Sequence, residues 1–228
     1  MSQTSNPLPS GAVGASPITP TFLILTVLFC VCLIVSNLME IKTVELGPLT
    51  ITAGVVVFPI SYILNDCITE VYGFSKARFV IWLGFAANLL VSLLLQIGIL
   101  LPGTPDWTGQ EAMELIFGAV PRIFAASFIA FLCGSLANAW IMSRMHRAAG
   151  GSRGFSLRAV VSTLGGESID SSLFFPIAFG GILPWSVIVS LIVSQALLKT
   201  LYEIIVLPIT IIVVKRLRRY NPLPDELY

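Results

Sequence analysis

The chain of 228 residues is 56% hydrophobic and only 11% charged, whereas a soluble domain carries about a quarter charged residues. The deficit of charge runs along its whole length, which excludes a soluble domain hung on one anchor and leaves a single membrane domain. A formal net charge of +1 argues for neither nucleic acid nor a polyanionic partner, and Cys30, Cys32, Cys67 and Cys133 lie in apolar runs as small hydrophobes, at spacings that fit neither a zinc ribbon nor a disulfide framework.

Residues 1–20 are rich in Ser, Pro, Gly and Thr and have no Lys, Arg or apolar run, so they are expected to form a flexible tail. No basic start precedes the first apolar stretch, so that stretch is expected to be retained rather than cleaved as a signal. Six apolar runs follow, at about 21–38, 49–69, 79–101, 121–142, 157–182 and 184–214. Each is long enough to span a bilayer, which takes about 20 residues. The sixth is longer than needed and should tilt, bend at Pro208 or pass beyond the membrane. The expected fold class is therefore all-α, a polytopic bundle of six transmembrane helices over residues 21–214, with a basic tail at 215–228.

The basic residues give the orientation. Lys76 and Arg78 lie between runs two and three, and Arg144, Arg147, Arg153 and Arg158 between runs four and five. Lys215, Arg216, Arg218 and Arg219 follow run six. In a six-helix zigzag these share one side, opposite Lys42 and Arg122, and basic loops stay in the cytoplasm. Both termini are then cytoplasmic. A split into three plus three aligns runs two and five, each holding Phe-Pro-Ile and a carboxylate pair, though in opposite order; inverted repeats of this kind are common in carriers.

Ionisable groups within lipid are costly, by at least about 2.5–3.5 kcal/mol, and mark function unless they are paired or reach the interface. At about 1.5 Å per residue, Glu167 and Asp170 come near the midplane of run five and share a helix face. Ser171 follows them, and Gly165-Gly166 before them allows close approach of a backbone or a ligand. Gln195 and Lys199 reach mid-depth from the other direction, with Glu203 one turn on. Run two brings Asn65, Asp66 and Glu70 toward the inner half, run three brings Asn88 to the middle, and run one places Asn37 near its outer end. Arg122 stands at the outer mouth of run four. Phe58, Tyr62, Phe174, Phe175 and Trp185 are candidates to line a cavity, with Phe58, Tyr62 and Phe175 the stacking candidates. Each has a plainer alternative. Lys199 with Glu203 or Asp170 can be a structural ion pair, and Glu70 can snorkel to the headgroups. Asn88 and Asn138 can bond helix to helix, and Arg122 can anchor at the interface.

Around these residues the chain resembles a known family, the queuosine precursor transporters, which are small six-helix proteins of the bacterial inner membrane. The resemblance lies in Ser36-Asn37, Phe58-Pro59-Ile60, the stretch from Asn65-Asp66 through Thr69-Glu70 to Tyr72-Gly73, and Ala77-Arg78. It continues in Arg122-Ile123, Ala126-Ser127-Phe128, Ser162-Thr163-Leu164-Gly165, Glu167, Asp170-Ser171 and Lys199. It covers about residues 22 to 214. It implies import of 7-deazaguanines, such as the 7-cyano and 7-aminomethyl forms, for salvage of the tRNA base queuosine. Such a ring offers adjacent N–H donors to a carboxylate, an O6 acceptor to Asn, Gln or Lys, and a flat face to an aromatic ring. The expected substrate-binding set is Asn37, Asn65, Asp66, Glu70, Asn88, Arg122, Glu167, Asp170, Ser171 and Lys199.

No metal, cofactor or catalytic group is expected, and the partners are the bilayer and a small molecule. A homo-oligomer and proton coupling are compatible with the sequence. An intramembrane enzyme is the poorer alternative, since the one histidine, His146, lies in a basic loop and no zinc motif exists. The stronger alternative is a substrate-binding subunit of an ATP-driven vitamin-type system, because the chain holds no phosphate-binding loop of its own.

Overall fold

The computed structural model describes residues 19–47, 49–148 and 155–220. Helix α1 (Pro20–Met39) starts cleanly: Pro20 stands in its first turn and the Thr19 hydroxyl accepts from the Phe22 N–H at 3.2 Å. Its outward residues Leu23, Ile24, Val27, Leu28 and Val31 are apolar and 46–58% exposed, while Ser36, Asn37 and Glu40 are at most 2% exposed. Apolar outside and polar inside is the pattern of a helix whose solvent is lipid.

After α1 the chain turns into an antiparallel hairpin, β1 (Thr43–Leu46) with β2 (Leu49–Thr52), reversing at Gly47, whose φ of +61° suits glycine. A 3₁₀ turn (Ala53–Val56) leads into α2 (Phe58–Tyr72). The bundle is predominantly helical, as the apolar runs imply, but it is not all-α. Run two becomes helical only at Phe58, because Thr50-Ile51-Thr52 and Val55-Val56-Val57 are β-branched and flank Gly54, all poor helix formers. The inner end of the hairpin is buried, with Ile51 and Thr52 at 4% and 0% exposure. Non-helical backbone is tolerated at membrane depth only where protein covers it.

Gly73 (φ +86°) alone separates α2 from α3 (Phe74–Leu100), so the chain reverses there within one residue. A short helix not expected from the sequence, α4 (Gln110–Phe117), is fastened to the end of α3. Gln96 Nε2 donates to the Phe117 carbonyl at 2.9 Å and Gln110 Nε2 to the Ile99 carbonyl at 3.0 Å. Then come α5 (Val120–Ala148), α6 (Phe155–Phe179) and α7 (Trp185–Tyr220), the last continuous across Pro208 and through the first residues of the expected basic tail.

Among the described residues, four stretches are long and apolar enough to cross a membrane: Pro20–Met39, Phe74–Leu100, Gln110–Asn138 and Trp185–Val206. Helix α2 packs on α1, α3 and α7, and α6 packs on α5 and α7. Two cores form. One joins α1, α2 and α3 through Phe22, Leu33, Ile68 and Val80; the other joins α5, α6 and α7 through Ile123, Phe175, Ile188 and Leu191. Pro59 stands in the first turn of α2 and Pro176 in the last turn of α6, so the two Phe-Pro-Ile triplets are not at equivalent helix positions. The start of α1 meets the end of α2 where Thr19 and Tyr72 share a hydrogen bond at 3.2 Å. Val214 and Leu217 of α7 join the same core.

Candidate functional site

An ion cluster lies where α6 and α7 meet. Lys199 of α7 donates to Asp170 Oδ2 of α6 at 2.7 Å and lies 3.3 Å from Glu167 Oε2. The three side chains are 9%, 19% and 15% exposed, in that order. Two carboxylates share one ammonium, so the cluster keeps a formal negative charge. The Lys199 ammonium also stands 4.8 Å from the centroid of the Phe58 ring, which brings the first turn of α2 onto the cluster. Lys199 is fourteen residues beyond Trp185, roughly 21 Å along the helix, so α2 begins deep within the bundle rather than at its surface.

Glycines set the spacing of α5 against α6. A Cβ on Gly166 would lie 2.8 Å from Asn138 Cβ and 3.0 Å from the Gly134 carbonyl oxygen; one on Gly134 would lie 3.0 Å from Asp170 Cβ. Small residues at such crossings let membrane helices approach backbone to backbone. Here that approach carries Asp170 to its depth beside α7.

Two cavities adjoin the cluster. A small one of about 60 Å³ is lined by Glu40, Phe58, Asn65, Asp170, Phe175, Gln195 and Lys199, among others. An open one of about 590 Å³ is lined by Asn65, Asp66, Arg78, Asn138, Glu167 and Asp170 with the aromatic rings of Trp82, Phe85, Phe128 and Phe131. Asn65, Ile81, Phe85, Phe131 and Asp170 border both, so the large cavity is a vestibule to the small one. Its volume is within the range of small-molecule sites, about 300–1,000 Å³. It lies toward the end of the bundle that carries Arg78 and the start of α6.

Glu40 is the residue that hydropathy does not single out. It is 2% exposed and lies beside the Thr52 side chain at the buried end of the hairpin. Thr52 Oγ1 accepts from Gln195 Nε2 at 2.5 Å. Helix α1, the hairpin and α7 are thus joined through three buried polar side chains. Gly54 makes room for the arrangement: a Cβ there would collide with Glu40 Oε1 and come 2.9 Å from the Ser36 carbonyl oxygen. Gly54→Ala is expected to displace the Glu40 carboxylate, lowering uptake at least tenfold with a lower melting temperature, measured by transport assay and by thermal unfolding in detergent.

A family model described as "Putative vitamin uptake transporter" matches residues 52–213. The "Probable queuosine precursor transporter" of Bacillus subtilis (strain 168) is 35% identical over 175 residues, 76% of this chain and 76% of that protein. The chain belongs to the queuosine precursor transporter family. The "Queuosine precursor transporter" of Escherichia coli (strain K12) is 30% identical over 128 residues, 56% of this chain and 55% of that one. No solved structure matches the chain significantly.

In this queuosine precursor transporter family member, the residues singled out from the sequence separate into groups. Asn65, Glu167, Asp170, Lys199, Phe58 and Phe175 surround the cavities, and Asp66 joins them at the vestibule. Asn37 and Asn88 (1% exposed each) and Ser171 (0%) are buried but border neither cavity. Glu70 is exposed on α2 and also borders neither. Arg122 holds the end of α6: its Nε donates to the Ile177 carbonyl at 2.6 Å and its Nη2 to that of Gly180 at 2.5 Å. A cation at a helix C-terminus satisfies open carbonyls and complements the dipole. The side chains of Tyr62, Glu203 and His146 lie outside the described residues, as do residues 1–18 and 221–228 of the expected tails.

Proposed function

We propose that this chain is an importer of 7-deazaguanine precursors of queuosine, a six-span carrier of the bacterial inner membrane that works by alternating access. The observation that carries the reading is the cluster of Lys199, Asp170 and Glu167 beside a vestibule of about 590 Å³, in a chain whose relatives are named queuosine precursor transporters. Its role is transport rather than catalysis. The six spans are α1, the hairpin with α2, α3, α5, α6 and α7. In this account α2 is a short helix of 15 residues, about 22 Å, completed by the re-entrant hairpin, as in carriers whose broken helices frame a central site.

Lys76, Arg78, Arg144 and Lys215 belong to the cytoplasmic end by the positive-inside rule, with both termini. The vestibule opens toward that end, so this conformer faces the cytoplasm. The purine-like ring enters between the aromatic walls, with the carboxylates and amides at its edge. Salvage supplies the physical logic: the solute is small, planar and scarce, and charge-assisted bonds in a site of low dielectric hold it.

Labelled precursor given to cells that cannot make queuosine tests this. Cells expressing the chain should accumulate label and restore queuosine in tRNA at low external precursor; equal uptake with and without the chain would contradict the reading. A proton accompanies the solute in this account, carried by Asp170 or Glu167. Asp170→Asn is then expected to lose concentrative uptake while solute exchange persists; full concentrative uptake in that variant removes Asp170 as the proton carrier. The family's description as a vitamin uptake transporter favours one further reading, a binding subunit that depends on a separate ATPase, and transport by the purified chain alone would dismiss it.

A further inference from the structure

The small cavity is bordered by residues that carry buried hydrogen-bond acceptors. Three residues that border it each carry a buried oxygen without a partner: Glu40 Oε2, Gln195 Oε1 and Asn65 Oδ1. All three are acceptors. Three donors beside them are engaged. Lys199 donates to Asp170, Ser61 Oγ donates to the Phe58 carbonyl at 2.6 Å, and Gln195 Nε2 donates to Thr52 Oγ1. The amide oxygen of Gln195 has no partner. Glu40 and Gln195 are 2% and 1% exposed, and buried polar groups in folded proteins are almost always paired.

We propose that Glu40, with Gln195 beside it, receives the donor edge of the substrate, the ring N–H and exocyclic amine of a 2-aminopyrimidinone, and thereby sets specificity; this rests on the reading of the chain as a deazaguanine importer. Glu167 and Asp170 are poorer receivers, since both already engage Lys199. The small cavity joins the vestibule across Asn65, Phe85 and Phe131. The 2-amino edge then points inward, and the far end of the ring with its C7 substituent lies in the vestibule. Recognition is consequently strict at C2 and tolerant at C7. A site built to pair a donor rejects the analogue that lacks it, because its own buried groups are then left unpaired.

The test is exchange of labelled 7-aminomethyl-7-deazaguanine by the full chain in liposomes, with unlabelled competitors. 7-Deazaguanine and its 7-cyano derivative should compete within a few-fold of the unlabelled substrate, and 7-deazahypoxanthine, which lacks the 2-amino group, at least tenfold more weakly. In Glu40→Gln the ratio between 7-deazaguanine and 7-deazahypoxanthine should collapse toward one. Equal competition by the two in the unmodified chain, or an unchanged ratio in Glu40→Gln, overturns the assignment. Where Glu40→Gln is not recovered folded, Gln195→Met reads the same ratio from the other partner, and an unchanged ratio there overturns it equally. Failure of the unmodified chain to exchange any deazaguanine would instead overturn the importer reading.

Discussion

Lys199→Ala is expected to abolish uptake and to destabilise the bundle by about 3 kcal/mol. Lys199 is the cation that both Asp170 and Glu167 engage, at 2.7 and 3.3 Å. Without it, two carboxylates face each other deep in the protein. Removing one member of a buried ion pair costs about 3–5 kcal/mol, chiefly because the partner is left charged and uncompensated. The lower end applies here, since the vestibule admits some solvent to the acids, which are 15% and 19% exposed. Thermal unfolding in detergent reads the stability and labelled uptake reads the transport. The triple variant Lys199→Met, Asp170→Asn, Glu167→Gln separates the two roles. It should regain most of the stability, since no charge is left unpaired, and still fail to transport. Recovery of both would make the cluster a scaffold.

Gly166→Ala is expected to reduce uptake at least tenfold and to lower the melting temperature by several degrees, while Gly165→Ala leaves both nearly unchanged. The neighbours differ in kind. At Gly166 the new methyl would meet the Asn138 Cβ and the Gly134 carbonyl oxygen, groups fixed to the backbone of α5. The helices must part, and Asp170 moves with α6. Overpacking of this kind costs typically about 1–3 kcal/mol. At Gly165 the methyl would meet the Cδ1 tip of Ile141, which a rotamer change can withdraw. Matched measurements on the two variants check the claim. Equal behaviour would mean that the close approach of α5 and α6 does not set the depth of Asp170.

The ion cluster was legible in the sequence because helix geometry is simple. Counting 1.5 Å per residue from opposite ends brings Asp170 and Lys199 to the same depth, and the 2.7 Å contact follows. The glycines before Glu167 were legible for a similar reason: a small pair next to buried acids has few uses other than close approach. The hairpin was not legible. Hydropathy treats residues 49–69 as one apolar run, and a short apolar stretch has no period that distinguishes a strand from a buried helix. The signals were Gly47, Gly54 and the β-branched residues around it.

Glu40 was hidden by the same error. If run two is a straight helix, Glu40 lies in an outer loop with Lys42 and Glu45 and needs no explanation. Only the inward fold of the hairpin brings Thr52 onto it and buries it. Arg122 marks another limit. Its position at the mouth of a helix was readable, but its bonds to the carbonyls of Ile177 and Gly180 depend on where α6 ends. Asn37, Asn88 and Ser171 show that depth alone does not say which way a polar side chain faces.

Everything depends on a polar hollow within lipid that accepts a flat solute and passes it on unaided. Purified protein in liposomes, loaded with unlabelled 7-aminomethyl-7-deazaguanine and given labelled solute outside, measures that directly. The account predicts label entering well above protein-free liposomes, with Lys199→Ala at background. Label entering no faster than through bare lipid, with protein whose fold is verified, would contradict it.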